Sequence, residues 1–364
     1  MPWNWELPNW PHFIYNPHRL STLEKQFFLE LGSAAAFLKT VPHEDYQRFV
    51  VEILSQEGLE SSRIEGEFLD RESLQSSIKQ HFGINNQKSK RPKESGMADL
   101  LCDVYQTYNE PLKQETLFNW HRTLFQGMTH LDDIGRYRKH EEPMQIVSNR
   151  YDERKVFFEA PPSKIVSKEM DRFIKWFNQD HPSVLTRAAV AHVYFESIHP
   201  FEDGNGRIGR LLVEKVLSQG VDRPVLIAVS KILERRKKEY YAALERCNKT
   251  LEIDHWLDFF GEVVLQAQKE SMDLLNFLIV KSKLMTRLAG QLNPRQEKVL
   301  LRIFAEGLSG FKGGLSAENY IAITKTSRAT ATRDLADLVE KGAFTKTGEL
   351  RHTRYWLNTL SYES

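Results

Sequence analysis

Residues His199 to Arg210, "HPFEDGNGRIGR", hold an imidazole, two carboxylates, an amide, two guanidiniums and three glycines within twelve positions. Those residue types suit a phosphate ligand. His199 has the side chain whose pKa lies nearest neutrality, as a general base requires. Asp203 is a hard oxygen ligand, suited to a Mg²⁺ held mainly by phosphates and water. Gly204 and Gly206 let the backbone approach an anion and form a concave nest of N–H groups, and Asn205 adds a side-chain donor. Arg207 and Arg210 are three apart, so they share one side of a helix, and planar guanidiniums there match phosphate oxygens. Taken singly, a histidine at a helix end is a cap and an isolated G-x-G is a turn. Phe201 reads as a core anchor for the loop.

These residues need two helices to hold them. "VLTRAAVAHVYFESI" is a strong helix that must stop at His199, because a residue before proline is pushed out of the α region. The chain re-enters helix at "GRIGRLLVEKVLSQG", with Gly220 expected as its C-terminal cap. The motif is therefore helix, loop, helix N-terminus, and the unpaired N–H groups of a helix start make an anion site.

The stretch matches H-x-F-x-[D/E]-G-N-G-R-x-x-R in full and so resembles the signature of Fic domains. The resemblance covers about Met97 to Gly290. It implies a helical core that binds ATP with Mg²⁺ and transfers AMP to a Ser, Thr or Tyr hydroxyl of a protein, the enzyme itself included. By the same resemblance His199 takes the proton from the target hydroxyl and Asp203 holds Mg²⁺ between the α- and β-phosphates. Gly204, Asn205 and Gly206 form the anion hole, with Arg207 and Arg210 on the outer phosphates. Upstream, "SSRIEGE" fits [S/T]-x-x-x-E-[G/N] at Ser61, Glu65 and Gly66, a pattern that resembles the inhibitory helix of Fic proteins. Alone it would read as a helix end with a glycine cap. Beside the complete motif it implies that Glu65 pairs with Arg210 where a γ-phosphate would bind, and the same carboxylate could position a water for removing AMP.

Around these motifs the pattern predicts a mainly α fold. Helices are expected from Thr22 to about Lys39, from about Glu44 to Gln56, and over "RESLQSSIKQHF", followed by an exposed loop at "GINNQKSKRPKESG". "ETLFNWHRTLFQGM" and "PSKIVSKEMDRFIKWFNQD" are helical. Between them "MQIVS" and "KVFFEA" read as a hairpin turning around Asn149 to Asp152, which resembles the family's substrate-docking flap. Trp3, Trp5 and Trp10 read as staples fixing a coil to the body.

After Leu292 the texture changes. "NPRQEKVLLRIFAEG" is a helix with Pro294 at its start, "LSAENYIAITKTSRATATRDLADLVEKGAF" reads as helix-turn-helix, and "TKTGELRHTRYWL" as a two-stranded wing. The segment resembles a winged helix-turn-helix with Arg328, Thr330, Thr332 and Arg333 on its recognition helix. Such modules bind DNA or serve in dimerisation and docking, so DNA and a second copy of the chain join ATP and a target protein as candidate partners. Acidic residues offset its cations, and no strong basic face is evident. The expected division is 1–95, a helical segment with the inhibitory motif; 96–290, the catalytic core; and 291–364, the winged-helix (α+β) domain.

Composition excludes little else. The 364 residues carry a formal charge of +1, so any polyanion site is local. Two cysteines, Cys102 and Cys247, fit a reducing compartment and no disulfide framework. The N-terminus lacks the pattern of a signal peptide, and no apolar run approaches membrane-spanning length, so the expectation is a cytoplasmic protein. Two rival classes fit the same residues. One is a DNA-binding regulator whose Fic core senses nucleotide. The other is a Fic enzyme that removes AMP or transfers another phosphate-linked group. A pure sensor would not need His199, which favours catalysis.

Overall fold

The structure is a computed structural model and describes residues 2–39, 41–84, 91–128, 131–147, 156–307, 311 and 313–358. Those residues are mainly helical, with two small two-stranded sheets. The chain forms two compact units, Met1–Thr40 with Val50–Ser271, and Val41–Phe49 with Met272–Ser364. The expected boundary at 290/291 lies past the start of the second unit. No helix among the described residues is long and apolar enough to cross a membrane.

The first unit holds α1 (Ser21–Leu38), α2 (His43–Ile64) from Val50 onward, α3 (Arg71–His81), α4 (Pro92–Thr107) and α5 (Gln114–Leu124). Two expectations are corrected here. The second helix does not stop at Gln56 but continues through "GLESSRI", where apolar periodicity fails. Gly58 explains why: a Cβ there would lie 2.8 Å from Leu101 Cδ1 and 2.9 Å from Met97 Cγ, so the bare glycine lets α2 press against α4. The loop expected through Gly96 ends by Arg91, because Pro92 takes the first helical position of α4, where its missing N–H costs nothing.

The hairpin is β1 (Gln145–Val147) and β2 (Val156–Glu159), antiparallel, with Ile146 opposite Phe158. Its expected turn at 149–152 lies outside the described residues. The N-terminal tryptophans tie down this region: Trp3 packs edge-on against Phe158, Trp5 Nε1 donates to the Glu159 carbonyl at 2.7 Å, and Trp10 Nε1 donates to Glu169 at 2.8 Å.

Then follow α6 (Ser163–Phe177), α7 (Val184–Ile198) and α8 (Asn205–Gly220). α7 is apolar on nearly every side, so it can be stable only when surrounded, and almost all of its side chains are buried. α8 packs along it. Gly220 is not the left-handed cap expected of it, since its φ is not positive and Asp222 takes φ 50° instead. A Cβ at Gly220 would collide with Val184, so this glycine serves close packing of α8 on α7. Short helices α9 (Val229–Arg235) and α10 (Lys237–Cys247) lead into α11 (Asp254–Arg287), within which the first unit ends. Both cysteines are free and buried.

The second unit holds α12 (Pro294–Ala305), α13 (Ala317–Thr324), α14 (Arg328–Glu340) and an antiparallel pair, β3 (Phe344–Thr347) and β4 (Arg354–Leu357). Asn293 caps α12 by accepting from the N–H of Gln296, whose side chain accepts from Asn293 N–H in return. Its core gathers Leu288, Val299, Ile303, Tyr320, Leu335 and Phe344, among others.

Candidate functional site

The site forms where α7 ends, the motif loop turns, α8 begins and the end of α2 arrives. His199 caps α7 with left-handed backbone, φ 50° and ψ 60°. That conformation is uncommon for a residue with a side chain, and its neighbours hold it. The His199 N–H donates to the Phe195 carbonyl at 3.0 Å, and its own carbonyl accepts from Arg138 Nε at 2.9 Å. Arg138 is buried and also donates to the Pro161 carbonyl and to Ser163 Oγ, so one guanidinium joins the motif loop to the end of the hairpin. Burial, then the charge of Arg138, lowers the His199 pKa to about 4. At neutral pH the imidazole is uncharged and able to accept a proton.

The loop is built to keep its shape. His121 Nδ1 accepts from the Gly135 N–H at 2.9 Å, so its Nε2 carries the hydrogen and donates to the Asp203 carbonyl at 3.1 Å. The same ring stacks on Phe201, with centroids 4.3 Å apart. The Asn205 amide spans the loop, accepting from the Phe201 N–H at 2.9 Å and donating to the Phe201 carbonyl at 2.8 Å. The Asn205 side chain thus shapes the loop first, and one amide hydrogen remains beside its backbone N–H. Gly204 takes φ 82° with Phe125 close behind it, so any side chain there would be strained and crowded.

Arg207 and Arg210 lie on the first turns of α8, both nearly buried, and the segment after α2 meets both. Arg210 donates from Nε to Ser61 Oγ at 2.9 Å, and from Nη2 to the Ser61 carbonyl at 2.9 Å and to Glu65 Oε1 at 2.7 Å. Burial opposes the charge on Arg210, yet the Glu65 carboxylate beside it raises the guanidinium's pKa above its ordinary value. Arg207 donates to Glu67 Oε2 at 2.7 Å and to Asp203 Oδ1 at 3.2 Å, while Lys93 pairs with the other Glu67 oxygen at 2.7 Å. Sequence reasoning missed Glu67, Arg138 and His121. Only Glu67, two positions from Glu65, lay close enough to a motif to attract notice.

The geometry of the α2 terminus accounts for Gly66. The Glu67 N–H donates to the Ser62 carbonyl and the Gly66 N–H to the Arg63 carbonyl, both at 3.0 Å, with Gly66 at φ 81°. This is the six-to-one and five-to-two pattern that ends a helix on a left-handed glycine. The last helical carbonyl, Ile64, accepts from Lys237 Nζ and from the Tyr241 hydroxyl, a cation at the negative end of the helix. Glu65 is thereby held over the start of α8, where a Cβ on Gly206 would collide with its carboxylate.

Asp203 is the candidate metal ligand. Its side chain is 48% exposed, and Oδ1 also accepts from the Gly204 N–H. No cluster of three or more His, Cys, Asp or Glu suited to a metal occurs among the described residues. A single half-exposed carboxylate fits a Mg²⁺ that arrives with phosphates and keeps its waters, and does not fit a resident structural metal.

Residues 111–217 match the Fic/DOC family, and residues 3–84, which include Glu65, match a domain of unknown function, DUF4172. Over 83 residues, 22% of this chain, it is 39% identical to proteins named protein adenylyltransferase Fic from Drosophila melanogaster and Drosophila simulans, spanning only 16% of their length. Among solved structures, a Fic family protein from Desulfovibrio desulfuricans G20 is similar at a TM-score of 0.55 and 20% identity, over 95% of this chain and 97% of that one. A Fic domain containing signaling protein from Bacteroides thetaiotaomicron VPI-5482 is similar at a TM-score of 0.52 and 20% identity, over 71% and 95%. These structural likenesses are of fold.

Proposed function

We propose that this chain, which carries a Fic/DOC family domain over residues 111–217, is a protein adenylyltransferase held in check by the end of its own α2. The observation that carries the reading is the pair of buried arginines at the start of α8, each occupied by a carboxylate, beside an uncharged histidine. Buried guanidiniums at a helix N-terminus are an anion site. Glu65 and Glu67 stand where phosphate oxygens would.

In this reading ATP lies along the start of α8, its phosphates on the N–H groups of Asn205, Gly206 and Arg207 and on the two guanidiniums. A Ser, Thr or Tyr hydroxyl of the target protein approaches His199. The hydroxyl oxygen bonds to the α-phosphorus, the bond from that phosphorus to the bridging oxygen of pyrophosphate breaks, and the hydroxyl proton passes to the imidazole. Asp203 would hold Mg²⁺, which when bound offsets the charge that builds on the phosphates. The protein's own contribution is position and fixed positive charge. Glu65 on Arg210 displaces the γ-phosphate and turns the α-phosphorus out of line, which leaves binding possible and transfer slow.

The direct test is ATP labelled at one phosphate. Label in the α position should become covalently attached to protein at a hydroxyl, the chain itself included, and γ-label should not. His199→Ala should abolish attachment while ATP still binds. Attached γ-label would make the protein a kinase and overturn the reading.

A further inference from the structure

The proton from the target hydroxyl goes to one ring nitrogen of His199, and the buried Nδ1 leaves that task to Nε2. Nδ1 is inaccessible to solvent and has no hydrogen-bond partner by distance and angle. One helical turn back on α7, Glu196 has an oxygen, Oε1, in the same condition, while its Oε2 lies 3.8 Å from His199 Nδ1. Both side chains are largely buried, 14% and 13% exposed. Leaving a buried polar atom unpaired is costly, and here the unpaired Nδ1 lies 3.8 Å from a carboxyl whose other oxygen, Oε1, is also unpaired. Gly209 supplies a second, independent observation. Glycine inside a helix costs about 1 kcal/mol relative to alanine, yet a Cβ at this position of α8 would lie 2.7 Å from Glu196 Oε1. The bare backbone leaves the space that the carboxyl fills.

We propose that Glu196 is a positioning residue for His199. Its carboxyl accepts the Nδ1 hydrogen and so fixes the tautomer that leaves the Nε2 lone pair toward the target hydroxyl. The 3.8 Å gap exceeds a hydrogen bond, and catalytic contacts are often long before substrate binds. The His199 backbone is pinned by Arg138 and Phe195, so a turn of the two side chains is what closes it. The role survives either charge state, because a protonated carboxyl keeps an acceptor oxygen. Glu65, Arg210, Arg138 and Asp203 act on this pair from the surrounding elements, and His192 faces Gly209 together with Glu196. The backbone carbonyl of Glu196 also acts on the His199 ring. No substitution removes that carbonyl, so variants at 196 isolate the carboxyl.

The proposal rests on His199 acting as the base, and its test separates the two ideas. The full chain is labelled with ¹⁵N-histidine, and the ring nitrogens of His199, assigned by their loss in His199→Ala, report the tautomer without any need for activity. The wild type should show hydrogen on Nδ1, Glu196→Gln should keep it, and Glu196→Ala should shift toward hydrogen on Nε2. In a Glu65→Gly background, Glu196→Ala should lower kcat for AMP transfer about tenfold to a hundredfold with the KM for ATP within about twofold, and Glu196→Gln should restore most of the rate. An unchanged tautomer in Glu196→Ala would overturn the proposal, as would a loss in Tm and ATP affinity that Gln does not restore. A chain in which no variant transfers AMP would instead overturn the functional reading, and a tautomer shift would stand.

Discussion

Glu65 and Glu67 flank one glycine and each occupies one motif arginine, at 2.7 Å in both cases. Substituting Glu65 with Gly removes a competitor for Arg210 and adds no catalytic group. AMP transfer should rise at least tenfold, about 1.4 kcal/mol in the barrier, as read by α-labelled ATP. Adding Arg210→Ala should return the rate toward the starting level, the non-additivity expected of a contacting pair. ADP, without a γ-phosphate, should change its affinity less than ATP. Glu67→Gln should give a smaller gain, because Asp203 remains as an acceptor for Arg207. Charge at the site also predicts a pH response. Burial first, then the charge of Glu65, raises the Glu196 pKa from 4.5 to about 8. Between those values the folded state holds a proton that the unfolded chain releases, so stability falls as pH rises through that window. The buried His121, His192 and His199, lowered to about 4, 3 and 4, act oppositely below 6.5, where the unfolded chain takes up protons that the folded chain refuses. Above 6.5 the raised carboxyls dominate until Lys215, lowered by burial to about 8, begins to act oppositely. Thermal melts should therefore show Tm declining from pH 6.5 to 8, and Glu196→Gln should flatten that decline.

At the scale of elements, the end of α2 positions both carboxylates through one left-handed residue. Gly66→Ala forces a Cβ into φ 81°, at about 1–2 kcal/mol. It should relax Glu65 and Glu67 together, raising AMP transfer while lowering stability to denaturant. Gly96 makes the opposite kind of contact. A Cβ there would lie 2.5 Å from the Thr123 carbonyl oxygen, a backbone atom that cannot move aside. Gly96→Ala should cost about 1–3 kcal/mol in a denaturant titration, without relieving inhibition. These elements were unequally legible. α7 and α8 could be read from apolar residues and a proline-bounded stop. The second half of α2 could not, because "GLESSR" has no apolar stripe and its helix is held by close approach at Gly58 and by cations and hydroxyls from α10. The start of α4 was hidden in a polar, basic run whose proline reads as a loop signal until it is seen at a first helical position. Within the site, the twelve-residue motif was legible because it is contiguous. Its partners were not, since Glu67 is 140 positions from Arg207, and Glu196 acts through a gap that spacing alone does not reveal.

At the scale of the whole molecule, 50 basic residues are balanced by 49 acidic ones, and the second unit repeats that balance locally. Arg295 pairs with Asp334, Lys341 with Asp337, and Arg328 on α14 with Glu318. A cation already paired releases fewer counterions when a phosphate approaches. Binding of duplex DNA, followed by fluorescence anisotropy between about 50 and about 200 mM salt, should therefore be weak and should lack the thousandfold loss of a protein with many phosphate contacts. Tight binding with that steep slope, weakened by removing Arg328 and Arg333, would restore the DNA-binding role. The first unit offers a different handle. Trp3 rests against Phe158 and Trp5 donates to Glu159, so two indoles report on strand β2 at close range. Indole emission depends on polarity and on nearby rings, so the protein carries an intrinsic optical gauge of its hairpin. With the other five tryptophans replaced by Phe, a peptide laid along that hairpin should announce itself as a change in colour and intensity, with no dye attached.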